Sequence, residues 1–547
     1  MGSKLLTGGD EVNSTIHFSG GRARACLSFP WEVSLYMMIL LLRPIFLAPV
    51  LFLCSAPAIA TPVDWGEVHA VTLRGIDRLY DMKIEEAAAT FDSVRRMAPG
   101  DPRGYFFGSM VHFWLYTLTR DEKEYRKFLE KSDDVITVCE NLLDADDKDA
   151  VSLFYLGGMY GYRGLAHQAH NSMFKAVTEG RKGYFSLKEA VKLKPDLYDA
   201  QMGFGLFNYL VAKVPKSLSW ILSLVGFSGD AEGGLAMVRN AAEHGVYTRT
   251  EARFYLSQFL FSEQKSEQAL PILDTLMAEY PDNTLFVVTY ATWQSRIGNA
   301  EVALLAAQKA VEINRRSRIH YGEEFLYSTL GAVYYSMNDF GRARSNLEEY
   351  VRKVASEDYL TNWTYYRLAV AQEMSGDRTA ALGTYRRLKS VNDRDRANES
   401  YLYRIALRRL RDPISPSEAL LIRAGNDLGR KAYDSAETLY SQALRPGLTD
   451  ADTRGRALIG LQQLYIAKED YRSALRTGEE LTALKPEKET WLIPQGFLQL
   501  GATLEKLGRE KDARAAYEKV LEYDDYDFQR SVEEKARKEI SRLKTAG

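Results

Sequence analysis

Residues 326–350 read LYSTLGAVYYSMNDFGRARSNLEEY, and this stretch decides the fold. Its apolar residues recur at three- and four-residue spacing on both sides of a short polar turn, which is typical of two amphipathic helices. Gly331 and Ala343 lie twelve positions apart, one in each predicted helix. Because antiparallel helices approach closely only where small side chains meet, this pair marks a helix crossing. The stretch therefore predicts a helical hairpin.

The same spacing of small side chains recurs along the chain beyond residue 61. The other pairs are Gly75/Ala87, Ala291/Ala303, Ala369/Ala381, Ala424/Ala436 and Gly501/Ala513, and two further units begin with a larger residue, Ser257/Ala269 and Gln462/Ala474. In six units a large side chain follows four residues after the second member: Phe91, Leu273, Leu347, Tyr385, Tyr440 or Tyr517. One hairpin cannot cover its own apolar face, so the hairpins are expected to stack into a right-handed superhelix with a concave inner wall.

The repeated unit resembles the tetratricopeptide-repeat family. Residues 75–99, 326–350 and 497–521 match the pattern of that family most closely, and the resemblance covers most of residues 66–525. It implies an all-α fold, an α-α superhelix of the tetratricopeptide solenoid type. Three early units are longer than the short pattern, which is similar to exported bacterial members with long-helix N-terminal repeats. Other α-solenoids obey the same stacking physics and stay open as an alternative.

The N-terminal region has the pattern of a cleavable signal peptide. Residues 34–60 are almost entirely apolar, with Arg43 as the only charge, and they end in Ala58-Ile59-Ala60, small residues where signal peptidase requires them. We expect cleavage after Ala60 and a mature protein in the periplasm or associated with the cell envelope. An uncleaved signal anchor is the alternative, because these 27 residues are long enough to span a bilayer. Residues 1–36 precede the pattern and would drop out if translation began at Met37 or Met38.

The repeat spacing divides the chain into four predicted parts. Residues 1–60 are the N-terminal extension and signal peptide, and residues 61–393 are a superhelix with lengthened early repeats. Residues 394–416 interrupt the alternation and contain two prolines, which predicts an extra helix and a hinge. Residues 417–547 are the C-terminal repeats and a charge-rich capping helix, which shields the open end of the array.

Composition limits the class of function. Hydrophobic residues make up 46% of the chain and charged residues 26%, a balance typical of soluble globular proteins. The 71 basic and 73 acidic side chains leave no basic surplus, so no nucleic-acid partner is expected. After the predicted cleavage only Cys139 remains, which excludes an intrachain disulfide.

No motif for catalysis or cofactor binding stands out in the sequence. It contains no Walker loop, no GxGxxG motif between a strand and a helix, and no GxSxG motif. His167 and His170 lie three residues apart on a predicted helix, a spacing compatible with a metal, but no cysteine or HExxH motif accompanies them. We therefore predict no catalytic residue, no metal site and no cofactor, and we do not expect an enzyme.

The segment 213–229, KVPKSLSWILSLVGFSG, is the most unusual part of the predicted array. Its apolar side chains include Leu218, Trp220, Ile221, Leu224 and Phe227. An exposed apolar run of this size usually contacts a partner or a membrane surface. The alternative is that the segment folds back into the superhelix and becomes part of the core.

The family resemblance also implies which side chains line the concave wall, because the first helix of each repeat presents its second, fifth, ninth and twelfth positions inward. The positions that correspond here are Phe254, Gln258, Phe261, Val288, Thr292, Phe325, Tyr335, Trp363, Tyr366 and Glu373. A groove rich in aromatic rings suits an extended or helical peptide, since rings provide contact area at a low entropy cost. Ordinary packing between repeats is the alternative for part of these rings.

Together these observations predict a non-catalytic scaffold of the cell envelope that binds a protein or peptide segment in the concave groove. The alternative is a membrane-surface or lipid-associated factor, which would make peripheral membrane contact through residues 213–229.

Overall fold

The computed structural model describes residues 63–214, 226–317, 323–354, 360–391, 397–445 and 450–546. Every regular element within these ranges is a helix, which confirms the predicted all-α solenoid. The predicted signal peptide and its cleavage site at Ala60 lie outside the described residues. None of the described helices is both long enough and apolar enough to cross a membrane.

The helices follow one another with short connections. The first ten are α1 Trp65–Tyr80, α2 Ile84–Met97, α3 Pro102–Thr119, α4 Glu122–Ala145, α5 Ala150–Ala169, α6 Met173–Leu193, α7 Tyr198–Ala212, α8 Ala231–His244, α9 Arg249–Ser262 and α10 Ser266–Glu279. The next seven are α11 Thr284–Arg296, α12 Ala300–Arg316, α13 Glu323–Ser336, α14 Phe340–Lys353, α15 Asn362–Met374, α16 Arg378–Tyr385 and α17 Ala397–Arg409. The last seven are α18 Pro416–Gly429, α19 Tyr433–Ala443, α20 Ala451–Ala467, α21 Tyr471–Thr482, α22 Leu492–Lys506, α23 Glu510–Val520 and α24 Gln529–Ala546.

The described chain forms two compact units. The first ends at Phe286 and the second begins at Val287, so the division falls inside α11. We call them the N-terminal unit and the C-terminal unit. The predicted extra helix corresponds to α17, and it lies within the C-terminal unit. The prediction of a hinge at 394–416 stays a prediction.

The predicted small pairs lie where the helices of each hairpin cross. A methyl group built on Gly331 would lie 2.6 Å from Leu347 Cγ, and one built on Gly501 would lie 2.5 Å from Tyr517 Cε1. The second members, Ala343 and Ala513, are fully buried. The large side chain four residues later therefore fills the space above the glycine, and a larger residue at the glycine position would displace it.

One hairpin reverses this arrangement of sizes. In α20 and α21 the first position carries Gln462, and the position that is large elsewhere carries Gly478. A methyl group built on Gly478 would collide with Nε2 of Gln462. Gln462 is fully buried, and neither polar atom of its amide has a hydrogen-bond partner among the described residues. The glutamine side chain therefore occupies the volume that an aromatic or leucine side chain fills in six of the other hairpins.

Buried polar side chains at the start of some first helices bind the loop that follows the paired helix. Asp199 Oδ1 accepts hydrogen bonds from the backbone nitrogens of Val246, Tyr247 and Thr248 at 3.0, 2.9 and 2.9 Å. Asp452 Oδ1 accepts two bonds of the same kind, from the nitrogens of residues 488 and 489, each at 2.9 Å. Both carboxylates are buried, so these bonds satisfy loop donors that water does not reach.

Candidate binding site

Three of the predicted groove residues lie on α9 in the N-terminal unit. Phe254 is only 2% exposed, and its ring packs 5.3 Å from that of Phe286. Gln258 and Phe261 are half-buried. Phe254 therefore belongs to the core of this unit, while Gln258 and Phe261 retain surface that a ligand can contact.

The other predicted groove residues lie on α11, α13 and α15 in the C-terminal unit. Val288, Tyr335 and Tyr366 are buried. Thr292, Phe325 and Trp363 are half-buried and keep part of their surface. Three of these six side chains therefore pack inside the unit, which agrees with the alternative of ordinary packing between repeats.

Trp363 is a large half-buried side chain with defined surroundings. Its ring stands perpendicular to that of Tyr366, with the ring centres 6.5 Å apart. The guanidinium carbon of Arg367 lies 5.3 Å from the centre of the Trp363 ring, within the range of a cation–π contact. These contacts hold the indole in one orientation while part of it stays accessible.

Glu373 is the last of the predicted groove residues. It belongs to a set of charged side chains whose other members were not among the predicted groove residues. This arginine–glutamate network consists of Glu373, Arg378, Arg408, Arg409, Glu418, Arg456 and Glu489. Arg378 contacts Glu373 at 2.9 Å, and Arg408 contacts Glu489 at 2.9 Å. Its members lie on α15, α16, α17, α18 and α20, except Glu489, which lies in the loop before α22.

The pair of Arg409 and Glu418 is a buried part of this network. Arg409 donates to both carboxylate oxygens of Glu418, at 2.9 and 2.5 Å. Burial opposes the charge on Glu418, but the hydrogen bonds and charge of Arg409 outweigh it and lower the pKa of Glu418 to about 2. Glu418 also closes a capping box with Ser415 at the start of α18. The sequence Ser415-Pro416-Ser417-Glu418 is a capping signature, so this helix start could have been predicted, although the arginine partner could not.

Glu489 is the most enclosed acid of the network, with its side chain 1% exposed. It accepts hydrogen bonds from Tyr401 Oη at 2.9 Å, from Trp491 Nε1 at 2.8 Å and from Arg408 at 2.9 Å. Burial raises the pKa of Glu489, but the nearby charge of Arg456 and these hydrogen bonds outweigh burial and lower it. The carboxylate is therefore ionised at neutral pH and holds α17 against the loop before α22.

Cys139, His167 and His170 are packed among neighbouring side chains in the described part of the chain. Burial raises the pKa of the Cys139 thiol to about 12, so it is not a nucleophile at neutral pH. His167 Nδ1 lies 2.8 Å from Tyr125 Oη, whereas His170 Nε2 lies 3.0 Å from Glu122. Both histidines contact Tyr125 of α4, since the ring of His170 also stacks on that of Tyr125 with the ring centres 4.1 Å apart. No group of described side chains is arranged to hold a metal ion.

Glu251, at the start of α9, is a buried acid in the N-terminal unit. It is 7% exposed, and Oε2 accepts a hydrogen bond of 2.5 Å from Tyr162. Its other oxygen is buried without a hydrogen-bond partner among the described residues. Burial raises the pKa of Glu251 to about 7, despite the hydrogen bond from Tyr162, which lowers it.

This acid predicts a measurable pH dependence. Because the pKa of Glu251 is higher in the folded state than in the unfolded chain, its proton favours folding at low pH, and stability is lost as the pH rises through 7. We expect this group to lower the free energy of unfolding by about 2 kcal/mol between pH values of about 5.5 and about 7.5. Urea unfolding at several pH values measures the slope, and Glu251→Gln should remove this part of it. An unchanged slope in Glu251→Gln would show that the acid is ionised throughout.

The predicted membrane or partner segment lies largely outside the described residues. Leu218, Trp220, Ile221 and Leu224 are in this category. Phe227 is described and is 9% exposed, with its ring centre 5.1 Å from that of Tyr184. Phe227 is therefore a core residue of the N-terminal unit.

Comparison with known proteins gives two matching family models. The model described as Iml2/Tetratricopeptide repeat protein 39 matches residues 199–353, and the model described as Tetratricopeptide repeat matches residues 363–391. No curated protein sequence matches the chain.

Solved structures that match the chain include those of yeast Tom70 and human IFIT1. The crystal structure of yeast Tom70 has 16% identity, and the match covers 83% of this chain and 96% of that chain with a TM-score of 0.30. The human IFIT1 dimer with m7Gppp-AAAA has 14% identity, and the match covers 84% of this chain and 95% of that chain with a TM-score of 0.34. Similarity at this level gives no information about the ligands of this chain.

Proposed function

Because this chain is a tetratricopeptide-repeat protein, we propose that it is a non-catalytic scaffold that binds a segment of another protein. The repeat fold is consistent with a protein-interaction scaffold, and the family is generally of the non-catalytic type. We place the contact surface on the first helices of the C-terminal unit, α11, α13 and α15. The partly accessible side chains there are Thr292, Phe325 and Trp363.

The observation that supports this placement best is the fixed orientation of Trp363. A large aromatic side chain that is already held by its neighbours loses little conformational freedom on binding, so most of its contact energy contributes to affinity. The guanidinium carbon of Arg367, 5.3 Å from the centre of the indole ring, belongs to the surroundings that hold this side chain. This arrangement suits a peptide that presents an apolar side chain.

We further propose that the protein acts in the periplasm or at the cell envelope, after removal of residues 1–60. The support for this location is the signal-peptide pattern that ends at Ala60. N-terminal sequencing of the protein from fractionated cells should give Thr61 as the first residue. A protein that retains residues 34–60 in the membrane fraction would favour the signal anchor instead.

Replacing Trp363 with alanine should weaken peptide binding by about 2 kcal/mol, roughly thirtyfold in Kd, as for a central aromatic anchor. Peptides selected from a displayed library with the purified protein provide the ligand, and calorimetry measures their affinity. Tyr366→Ala is a poor test because Tyr366 is only 8% exposed and its loss would disturb packing.

Trp65→Ala is the matched control for this experiment. Trp65 is 53% exposed and also lies 5.3 Å from an arginine, Arg103, but it belongs to α1 of the N-terminal unit. We expect this variant to bind the selected peptides with unchanged affinity. Equal affinities for both variants and the unmodified protein would remove Trp363 from the site.

A further inference from the structure

The outward side of α6 combines exposed apolar rings with positive charge. The α6 outer face consists of Phe174, Val177, Arg181, Phe185, Lys188 and Lys192, all exposed. Successive members are three or four residues apart, so they form a single stripe along the helix. This arrangement differs from an ordinary solvent-facing stripe, which carries polar side chains of both signs.

The apolar members of this face are accessible to an unusual degree. Phe174 is 70% exposed, Val177 41% and Phe185 39%. The opposite side of α6 packs closely on α5, since a methyl group built on Gly183 would lie 2.8 Å from the carbonyl oxygen of Gly157. The exposed parts of Phe174, Val177 and Phe185 add apolar surface that water contacts.

The charges on this face point to an anionic partner. Arg181 lies over the ring of Phe185, with its guanidinium carbon 5.1 Å from the ring centre. Carboxylates on α6 reduce this positive charge without cancelling it. Glu179 is 15% exposed and lies 3.5 Å from Arg163, whereas Glu189 pairs with Lys192 at 2.9 Å, which leaves Arg181 and Lys188 in excess. The cations and the exposed apolar side chains lie on the same face of α6. Such a face can contact lipid phosphates and acyl chains together, as at the headgroup–acyl boundary of an anionic bilayer.

The described C-terminal end of the apolar segment lies next to this face. The chain returns at Gly226, where an added methyl group would lie 3.0 Å from Phe185 Cζ, and Phe227 packs on Tyr184 of α6. The apolar segment therefore rejoins the described chain beside Phe185.

We propose that the α6 outer face binds the surface of an anionic phospholipid bilayer. Its three apolar side chains enter the headgroup–acyl boundary, and its three cations lie against the lipid phosphates. This binding goes beyond the proposed peptide site, and the two are tested separately because Trp363 belongs to the C-terminal unit.

Flotation with lipid vesicles tests the proposal on the full mature chain. The unmodified protein should float with vesicles of phosphatidylcholine and phosphatidylglycerol, and much less with phosphatidylcholine alone or at high salt. Phe174→Asp should reduce the partition coefficient between vesicles and water at least about tenfold. The substitution removes an apolar ring and adds a negative charge that the anionic lipid repels. Lys188→Glu with Lys192→Glu should reduce it by about fivefold or more for each charge.

Leu305→Asp is the matched control, because Leu305 is 68% exposed on α12 in the other unit. This variant should float like the unmodified protein, and circular dichroism should show the same helix content for all variants. Absence of flotation with anionic vesicles, or equal flotation of Phe174→Asp, would overturn the proposal. A dimer that Phe174→Asp dissociates, without any flotation, would overturn it as well and assign the face to a second copy of the chain.

Discussion

Replacing Glu489 with alanine is expected to lower the free energy of unfolding by about 3–5 kcal/mol, the usual cost of removing one partner from a buried ion pair. The carboxylate is almost fully enclosed and accepts bonds from Tyr401, Arg408 and Trp491. Its removal leaves the buried hydroxyl of Tyr401 and the buried indole nitrogen of Trp491 without their acceptor, and it leaves Arg408, whose side chain is 22% exposed, without its counter-charge. Urea unfolding followed by circular dichroism measures the loss.

Glu518→Ala provides the matched control for this prediction. Glu518 lies in the same unit and contacts Arg514 at 2.9 Å, but its side chain is 50% exposed. Exposed pairs of this kind contribute less than about 1 kcal/mol, so we expect a small change. If Glu489→Ala were as mild as Glu518→Ala, the network would not contribute to the stability of the C-terminal unit.

Substituting leucine for Gly478 is expected to destabilise the protein by about 1–3 kcal/mol, the range for overpacking a filled core. The new side chain would enter the volume that Gln462 occupies, and it would also approach Leu500, whose Cδ1 lies 3.1 Å from a methyl group built on Gly478. The combination with Gln462→Gly should recover most of the loss, because it recreates the arrangement of Gly331 and Leu347. A double-mutant cycle measured by urea unfolding should give a coupling energy of about 2 kcal/mol.

Gly383→Leu separates packing from helix propensity in this experiment. No neighbouring atom lies within 4 Å of a methyl group built on Gly383, which is on the exposed side of α16. Leucine there should be neutral or stabilising by up to about 1 kcal/mol, since glycine is a weak helix former. If the destabilisation by the substitutions at 462 and 478 were additive, with no coupling energy, the two side chains would not compete for the same volume.

Short-range patterns in the sequence determined the helical repeats. The small pairs and the large residue that follows them lie within one hairpin, so pairs such as Gly331 and Leu347 meet whatever the rest of the chain does. The hairpins were therefore predictable from spacing alone, because the geometry of a helix sets which residues share a face. The sequence shows that the hairpin of Gln462 and Gly478 keeps the spacing but has a large residue at the first position. It does not show that the glutamine side chain fills the space left by the glycine.

Only the tertiary structure decided which of the groove candidates are accessible. Trp363 and Tyr366 both lie on the predicted inner side of α15, yet one is half-buried and the other is 8% exposed. The difference depends on neighbours that are far away in the sequence, such as Arg409, whose charge acts on Tyr366. Hydrophobic periodicity predicts which side chains share a helix face. It does not predict which of them are buried, because burial depends on contacts with segments that are distant in the sequence.

The charged network and the α6 outer face illustrate the same limit. Arg408 and Glu489 are 81 residues apart, and no local pattern relates them. The sequence directed attention to the apolar residues 213–229, whereas Phe174 and Phe185 on the neighbouring helix read as ordinary repeat residues. Helix formation is local and therefore legible in the sequence, while the burial or exposure of a side chain is a property of the packed molecule.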